Sequence, residues 1–334
     1  MQQPITIGID LAKNVFQLHG VDAGGVAILK RKLRRSQVLD FFARLEPCLI
    51  GMEACAGAHF WARELQARGH EVRIMPPSYV KPYVKRGKTD AADAEAICEA
   101  VTRPTMRFVP VKSAERQAAL VDHKTRDFLV RQRTQLVNTI RAHLSEFGIV
   151  VAKGIHNVDR LLEAASELPA AARPAIDLLA DQLRETQEKI ELVTERIEAA
   201  QRSDPLARRL ATIPGVGAIT ASAIAATTPA VDNFRSARDY AAWLGLTPQP
   251  HSSGGKERLG RISKAGNRYL RRLLYLGAMA QISARRFGRP GDDWLWRMLE
   301  RKPVKVVAVA LANRMARIVW ALIGRGESFR GNPA

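Results

Sequence analysis

Cysteine is scarce in this chain. Cys48, Cys55 and Cys98 are the only three among 334 residues. No two have CxxC spacing, and three thiols cannot make the dense disulfide framework of a small secreted scaffold. That absence argues against a zinc ribbon and for a reducing compartment, with the thiols expected as buried small hydrophobes. The seven histidines show no HxxxH pair or other metal-ligand spacing and are assigned no role. The opening MQQPITIGID has no basic segment ahead of an apolar one, so no leader is expected. The one long apolar stretch, 304–323, is interrupted by Lys305, Asn313, Arg314 and Arg317, which argues against a membrane span. The expectation is a cytoplasmic protein with no membrane partner.

Negative charge is the other shortage. Lys and Arg total 52 against 33 Asp and Glu, a formal net charge of +19. Such a field attracts polyanions and speeds encounters with them, which makes nucleic acid the leading partner class. The bland alternative is a generically basic ribosome-associated or membrane-surface protein. With 46% hydrophobic composition the chain can bury a sizeable core, and its length suits two or three domains.

Residues 5–33 alternate apolar and polar positions with breaks at Gly20 and Gly24-Gly25, predicting three short consecutive strands. A helix over 36–46 started by Ser36, a buried strand over 48–54, a helix over 57–68 and a strand over 71–75 follow. This order is α/β, with consecutive strands first and crossovers later. Residues 112–147 read as a long basic helix. Ile176, Leu179, Leu183, Thr186, Ile190, Val193 and Ile197 then step by three and four in a heptad seam. The seam suits a coiled coil between copies, or equally an intramolecular hairpin with the 112–147 helix. Two glycines in ATIPGVGAITASAIAA, 211–226, form a turn between short helices that resembles a helix-hairpin-helix, and 303–324 reads as an apolar closing helix.

Against the basic background, four acids stand out. Asp10 ends the apolar strand ITIGID, Glu53 ends LIGME, and Asp90 and Asp93 lie three apart on one helix face in KTDAADAEA. Brought together, four carboxylates would raise each other's pKa unless a divalent cation neutralised them. That implies Mg²⁺ or Mn²⁺ on hard oxygen ligands, suited to phosphoryl displacement. The duller roles are helix caps and first-turn acids for Asp90, Asp93 and Glu53. For Asp10 alone, an actin-like sugar kinase is a competing placement.

Two basic segments flank this chemistry. YVKPYVKRGK, 79–88, interleaves Tyr79 and Tyr83 with Lys81, Lys85, Arg86 and Lys88 and could clamp a nucleic-acid strand beside Asp90, or be a solvated loop. Over 245–289 there are ten Lys or Arg residues against the single acid Glu257. Among them Lys256, Arg258, Arg261, Lys264, Arg268, Arg271 and Arg272 follow Ser252, Ser253 and Gly254-Gly255. Those serines could attack a phosphodiester or merely hydrogen-bond a phosphate. Ser263 reads as a helix cap.

The segments GIDLAKN, GMEACAGAHFWARELQARGHEV, KTDAADAEAI, IPGVGAITA, GLTPQPHSSGGK and GRISKAGNRYLRRLL together resemble the DEDD insertion-sequence transposases related to the Piv invertases. The resemblance spans almost the whole chain. It implies an α/β RuvC-like, RNase H-type domain over 1–110, in which Asp10, Glu53, Asp90 and Asp93 hold the metal. It also implies long helices in a coiled-coil connection over 111–203 and a mainly α transposase domain over 204–334. The likeness further implies a recombinase of the bacterial cytosol or nucleoid, guided by a bridge RNA that pairs with target and donor DNA and working as a dimer to tetramer. A C-terminal serine would form a phosphoserine intermediate completed by another subunit's acids. Ser253, directly before glycine, matches that serine, and Ser252 competes with it. The alternative is a RuvC-like nuclease or DNA invertase in which metal-activated water or a DNA hydroxyl attacks and the serine only binds phosphate. A nonenzymatic nucleic-acid-binding protein is the third possibility.

Overall fold

The computed structural model describes residues 3–85, 87, 89–252, 254–256, 258–286 and 294–330. The chain divides into two compact units, Met1–Gln117 and Ala118–Ala334.

The first unit is built on five strands, β1 (Thr6–Asp10), β2 (Val15–Val21), β3 (Ala27–Arg34), β4 (Leu49–Glu53) and β5 (Glu71–Met75), in the order β3-β2-β1-β4-β5. The first three are antiparallel neighbours, whereas β4 runs parallel to β1 and β5 parallel to β4. This mixed sheet is that of a RuvC-like fold. Helices α1 (Val38–Phe42) and α2 (Ala58–Gln66) cover one face, where Ile7, Ile9, Phe16, Leu18, Val38, Phe42, Trp61 and Leu65 form the core. After the short α3 (Pro77–Val80), α4 (Asp90–Val101) lies on the other face, across β1, β2 and β4.

Strand alternation explains how α4 fits there. Ile7 and Ile9 of β1 point to the α1/α2 side, so Thr6, Gly8 and Asp10 point to the α4 side. At Gly8 the helix backbone comes so near that a Cβ would sit 2.2 Å from the Ala94 carbonyl oxygen and 2.4 Å from the Cys98 amide. On β4, opposite Gly8 in register, Gly51 leaves the space that Val101 fills, 2.8 Å from where its own Cβ would be. Two facing glycines thus form a notch in the sheet for the helix.

Some local expectations need correction. The helix predicted from Ser36 is shorter: a 3-10 turn covers Arg35–Gln37, closed by the Gln37 side chain accepting from the Arg34 amide at 2.9 Å, and α1 is five residues. Cys48 and Cys98 are buried, but Cys55 is exposed in the turn after β4.

The second unit is mostly helical. Helix α5 (Ala114–Ser145) enters it from the end of the first, followed by α6 (Val158–Ala164) and α7 (Arg173–Ser203). The heptad seam is satisfied inside the chain. Ile176, Leu183, Thr186, Ile190, Val193 and Ile197 are all buried, and Ile140 and Leu144 of α5 share a core with Ile176 and Leu183. Arg126 donates to Thr194 at 2.7 Å and Arg133 to Gln187 at 2.8 Å. Rising numbers on one helix meet falling numbers on the other, so α5 and α7 form an antiparallel hairpin.

Beyond it come α8 (Pro205–Leu210), α9 (Ala218–Thr227), α10 (Ala237–Trp243), the hairpin of β6 (Pro248–Pro250) and β7 (Leu259–Ile262), α11 (Arg268–Arg286), α12 (Trp294–Arg301) and α13 (Val304–Arg325). Asp204 caps α8 by accepting from the Leu206 and Ala207 amides at 2.8 and 3.2 Å. The α8–turn–α9 pair is the helical hairpin expected around Gly215 and Gly217, with Gly215 at φ 77°. Helix α13 is long and apolar enough to cross a membrane, yet Val307, Leu311, Met315, Val319 and Leu322 lie in the core of this unit. Ser263 is not the cap of α11. That role belongs to Asn267, whose Oδ1 accepts from the Tyr269 and Leu270 amides at 2.9 and 3.1 Å, while the Ser263 amide donates to the Thr247 carbonyl.

Filling the notch tests this packing. Gly8→Ala forces a methyl into helix backbone, so it is expected to cost about 1–3 kcal/mol and lower the melting temperature by several degrees. An unchanged melt would show that α4 does not depend on the notch.

Candidate functional site

Parallel pairing brings two acids to one sheet edge. Ile9 of β1 is opposite Met52 of β4, so Asp10 and Glu53 are the next residues on neighbouring strands, about 4.8 Å apart in the sheet. Helix α4 brings a third. Its start is fixed by Thr89, whose hydroxyl accepts from the Ala92 amide at 3.2 Å, and Asp93 lies in the first turn one residue before the Ala94 carbonyl that abuts Gly8.

Glu53 senses the other two. The Glu53 carboxyl is held above the ordinary carboxylate range by burial first, then by the charges of Asp10 and Asp93. Cys55, two residues past Glu53, is exposed as a residue, yet partial desolvation of its thiol and the charges of the same Asp10 and Glu53 raise its pKa. The sequence offered no signal for that thiol beyond its nearness to Glu53. Asp90 stands apart: it is the exposed first residue of α4 and contributes nothing to the elevation of Glu53. Among the described residues, no group of three His, Cys, Asp or Glu is gathered tightly enough to hold a metal ion. In donor chemistry Asp10, Glu53 and Asp93 nonetheless suit a hard divalent cation, because all offer carboxylate oxygen and their repulsion is what such an ion relieves.

The nearby basic run is partly occupied. Lys85 pairs with Glu95 of α4 at 2.9 Å, and Tyr83 is half-buried with the Arg103 guanidinium 5.9 Å over its ring. Lys81 and Tyr79 are exposed. Arg86 and Lys88 lie outside the described residues.

In the second unit, the serine segment is the loop of the β6–β7 hairpin. Ser253 lies outside the described residues. Ser252 is exposed, and its hydroxyl accepts from the Arg258 amide at 3.3 Å, next to a 2.7 Å bond from the His251 amide to the Arg258 carbonyl. Lys256, Arg258, Arg261, Lys264 and Arg268 are exposed, and none pairs with an acid among the described residues. Lys264 holds a left-handed φ of 53° in the corner before α11. The other two cations are engaged. Arg271 donates to the Leu244 and Ala265 carbonyls at 2.8 and 3.0 Å, and Arg272 pairs with Asp127 while lying 5.4 Å over the Tyr269 ring.

His123, to which sequence reasoning gave no role, is a structural residue. It is buried between the Tyr269 hydroxyl at 3.2 Å and the Ser222 hydroxyl at 3.1 Å, and burial pushes its pKa down to about 4. It ties α5 to α9 and α11.

Comparison with known proteins adds two family profiles and several curated relatives. A DEDD transposase profile of IS110 elements matches residues 7–149, and a profile described as "Transposase IS116/IS110/IS902 family" matches 207–290. A "Probable family 20 transposase" of Pseudomonas aeruginosa is 48% identical over 97% of this chain and 98% of its own length. The transposase for insertion sequence element IS1328 of Yersinia enterocolitica is 40% identical over 97% of this chain and 98% of its own. That for IS1111A of Coxiella burnetii is 39% identical over 97% and 91%.

The acid cluster gives a pH-dependent prediction. A carboxyl with a raised folded-state pKa favours the native state below its unfolded pKa, and that contribution is lost as pH rises through the folded value. Glu53→Gln should therefore melt higher than the native chain at pH 7.5 and show no such advantage at pH 4. Equal melting at both values would mean that Glu53 is not strained by its neighbours.

Proposed function

The chain belongs to the IS116/IS110/IS902 family of DEDD insertion-sequence transposases, and from that premise we propose how it cuts and rejoins DNA. The family acts on DNA by strand cleavage and strand transfer. The observation that carries the proposal is the meeting of Asp10 and Glu53 at adjacent strand ends with Asp93 close enough to raise the Glu53 pKa.

In this reading, Asp10, Glu53 and Asp93, with Asp90 at the helix start, hold Mg²⁺ or Mn²⁺. The ion supplies charge neutralisation at the reacting phosphate. The family likeness supports a serine nucleophile. As the Ser253 oxygen bonds to phosphorus, the bond from phosphorus to the DNA oxygen breaks, and that oxygen takes up the proton the serine gave to solvent. A DNA hydroxyl then attacks the phosphoserine and releases the serine, so one phosphodiester is exchanged for another without a high-energy cofactor. Ser252, whose hydroxyl closes its own loop onto Arg258, suits a positioning role better than attack. The exposed cations of the hairpin would hold backbone phosphates. A bridge RNA choosing the sites, and a homo-oligomer in which one copy's acids serve another's serine, complete the proposal.

Trapping the protein–DNA adduct tests the chemistry. Ser253→Ala should abolish the adduct and Ser252→Ala should keep it. Asp10→Asn, Glu53→Gln and Asp93→Asn should each slow cleavage by roughly 100-fold or more, about 2.7 kcal/mol of barrier. Full strand cleavage and joining by both serine variants would favour attack by water or a DNA hydroxyl. Sequencing RNA that copurifies should yield a discrete species, and bulk cellular RNA alone would refute guidance.

A further inference from the structure

Between the β2–β3 end of the sheet and α2, the first unit has an open cleft of about 620 Å³ whose lining is both cationic and aromatic. Its lining includes Asn14, Arg34, Arg35, Ser36, Phe60 and Trp61. The Arg35 guanidinium lies 5.0 Å over the buried Trp61 ring, which preorganises it, and Phe60 packs edge-on to Trp61 at 5.2 Å while remaining 40% exposed. The strand that feeds the cleft carries Lys30, Arg31, Lys32 and Arg34, and Arg35 opens the turn that follows, with no acid among them. Exposed cations alone would be explained by protection of an edge strand, since β3 ends the sheet. That explanation does not require an arginine stacked beside an exposed phenylalanine in a concavity.

The cleft opens at the same end of the strands as the acids, but on the α2 side of the sheet, whereas Asp10 points to the α4 side. Asp10 is opposite Gln17, which is opposite Lys32, and Arg34 is opposite Val15 at the start of β2. Two strand spacings, roughly 10 Å, separate the line of Asp10 from that of Arg34.

We propose that this cleft is a subsite for one nucleotide of a single-stranded nucleic acid, its base stacked on Phe60 and its phosphate held by Arg34 and Arg35. Stacking plus cationic contact, with no readout of base edges, makes the subsite tolerant of sequence. It rests on the reading that the acids at this end of the strands act on nucleic acid, and it has the same strand pass over the strand ends, from the acids on the α4 side to the cleft on the α2 side.

The test uses the full chain carrying Asp10→Asn, in EDTA, so that binding is read without cleavage. Fluorescence anisotropy would follow labelled single-stranded DNA and RNA of one sequence, and 5-iodouracil photocrosslinking would map the contact. Phe60→Ala is expected to weaken single-strand binding about tenfold and Phe60→Trp to restore it. Arg34→Gln should reduce the salt-dependence slope by about 0.7, and crosslinks should fall in α2. A larger Phe60 effect with one nucleic acid identifies the natural occupant, and equal effects confirm sequence- and sugar-tolerant stacking. Less than a twofold effect of Phe60→Ala on both, with crosslinks only outside α2, would overturn the subsite. Because no cleavage is measured, that failure is distinct from finding that the acid variants still cut DNA.

Discussion

The placement of one helix on two glycines governs the first unit. Only because Gly8 and Gly51 lack side chains can α4 lie against β1 and β4, with its own backbone touching the sheet at Ala94 and Cys98. Interior packing tolerates little displacement, so a helix seated this closely has its first turn set by the contact. Asp93 is in that turn, and it is thereby delivered to an edge where parallel pairing has already put Asp10 next to Glu53. The elevated pKa of Glu53 follows from this packing.

Those acids stand against the charge of the rest of the chain. A molecule with a net charge of +19 draws polyanions to its whole surface, but carboxylates repel phosphate unless a cation lies between them. The combination suits a protein that binds nucleic acid broadly and acts on it narrowly. Cations are correspondingly divided in use. Lys85, Arg271 and Arg272 are committed to internal partners, whereas the β6–β7 hairpin and the β3 edge present cations without acidic partners among the described residues.

Much of the first unit was legible because period-2 strands and a buried LIGME run are strong local signals. The order of three consecutive strands and two crossovers could be read directly, and so could Asp10 and Glu53 at strand ends. Where long-range contact decides, the sequence said less. Whether the heptad seam faced a second copy or α5 depended on which helix could reach it, and the 122–144 stretch of the same chain does. The cap of α11 fell to Asn267 because the helix begins only at Arg268, while Ser263 is still in the chain leaving a hairpin that no local pattern announced, its amide paired with the Thr247 carbonyl. The exposure of Cys55, the structural use of His123 and the aromatic cleft beside Arg35 arise from residues brought together across the fold. Asp90 and Asp93 share a helix face in the sequence; the charge of Asp93 raises the Glu53 pKa, and Asp90 is the exposed first residue of the helix.

The central claim is that Asp10, Glu53 and Asp93 form one cation-binding centre. Electron paramagnetic resonance of Mn²⁺ titrated into the full chain measures this directly, through the free-ion signal lost on binding. Asp10→Asn, Glu53→Gln and Asp93→Asn should each weaken Mn²⁺ binding by about tenfold or more, and Asp90→Asn should weaken it less. Unchanged Mn²⁺ affinity in all three variants would show that these acids do not share an ion.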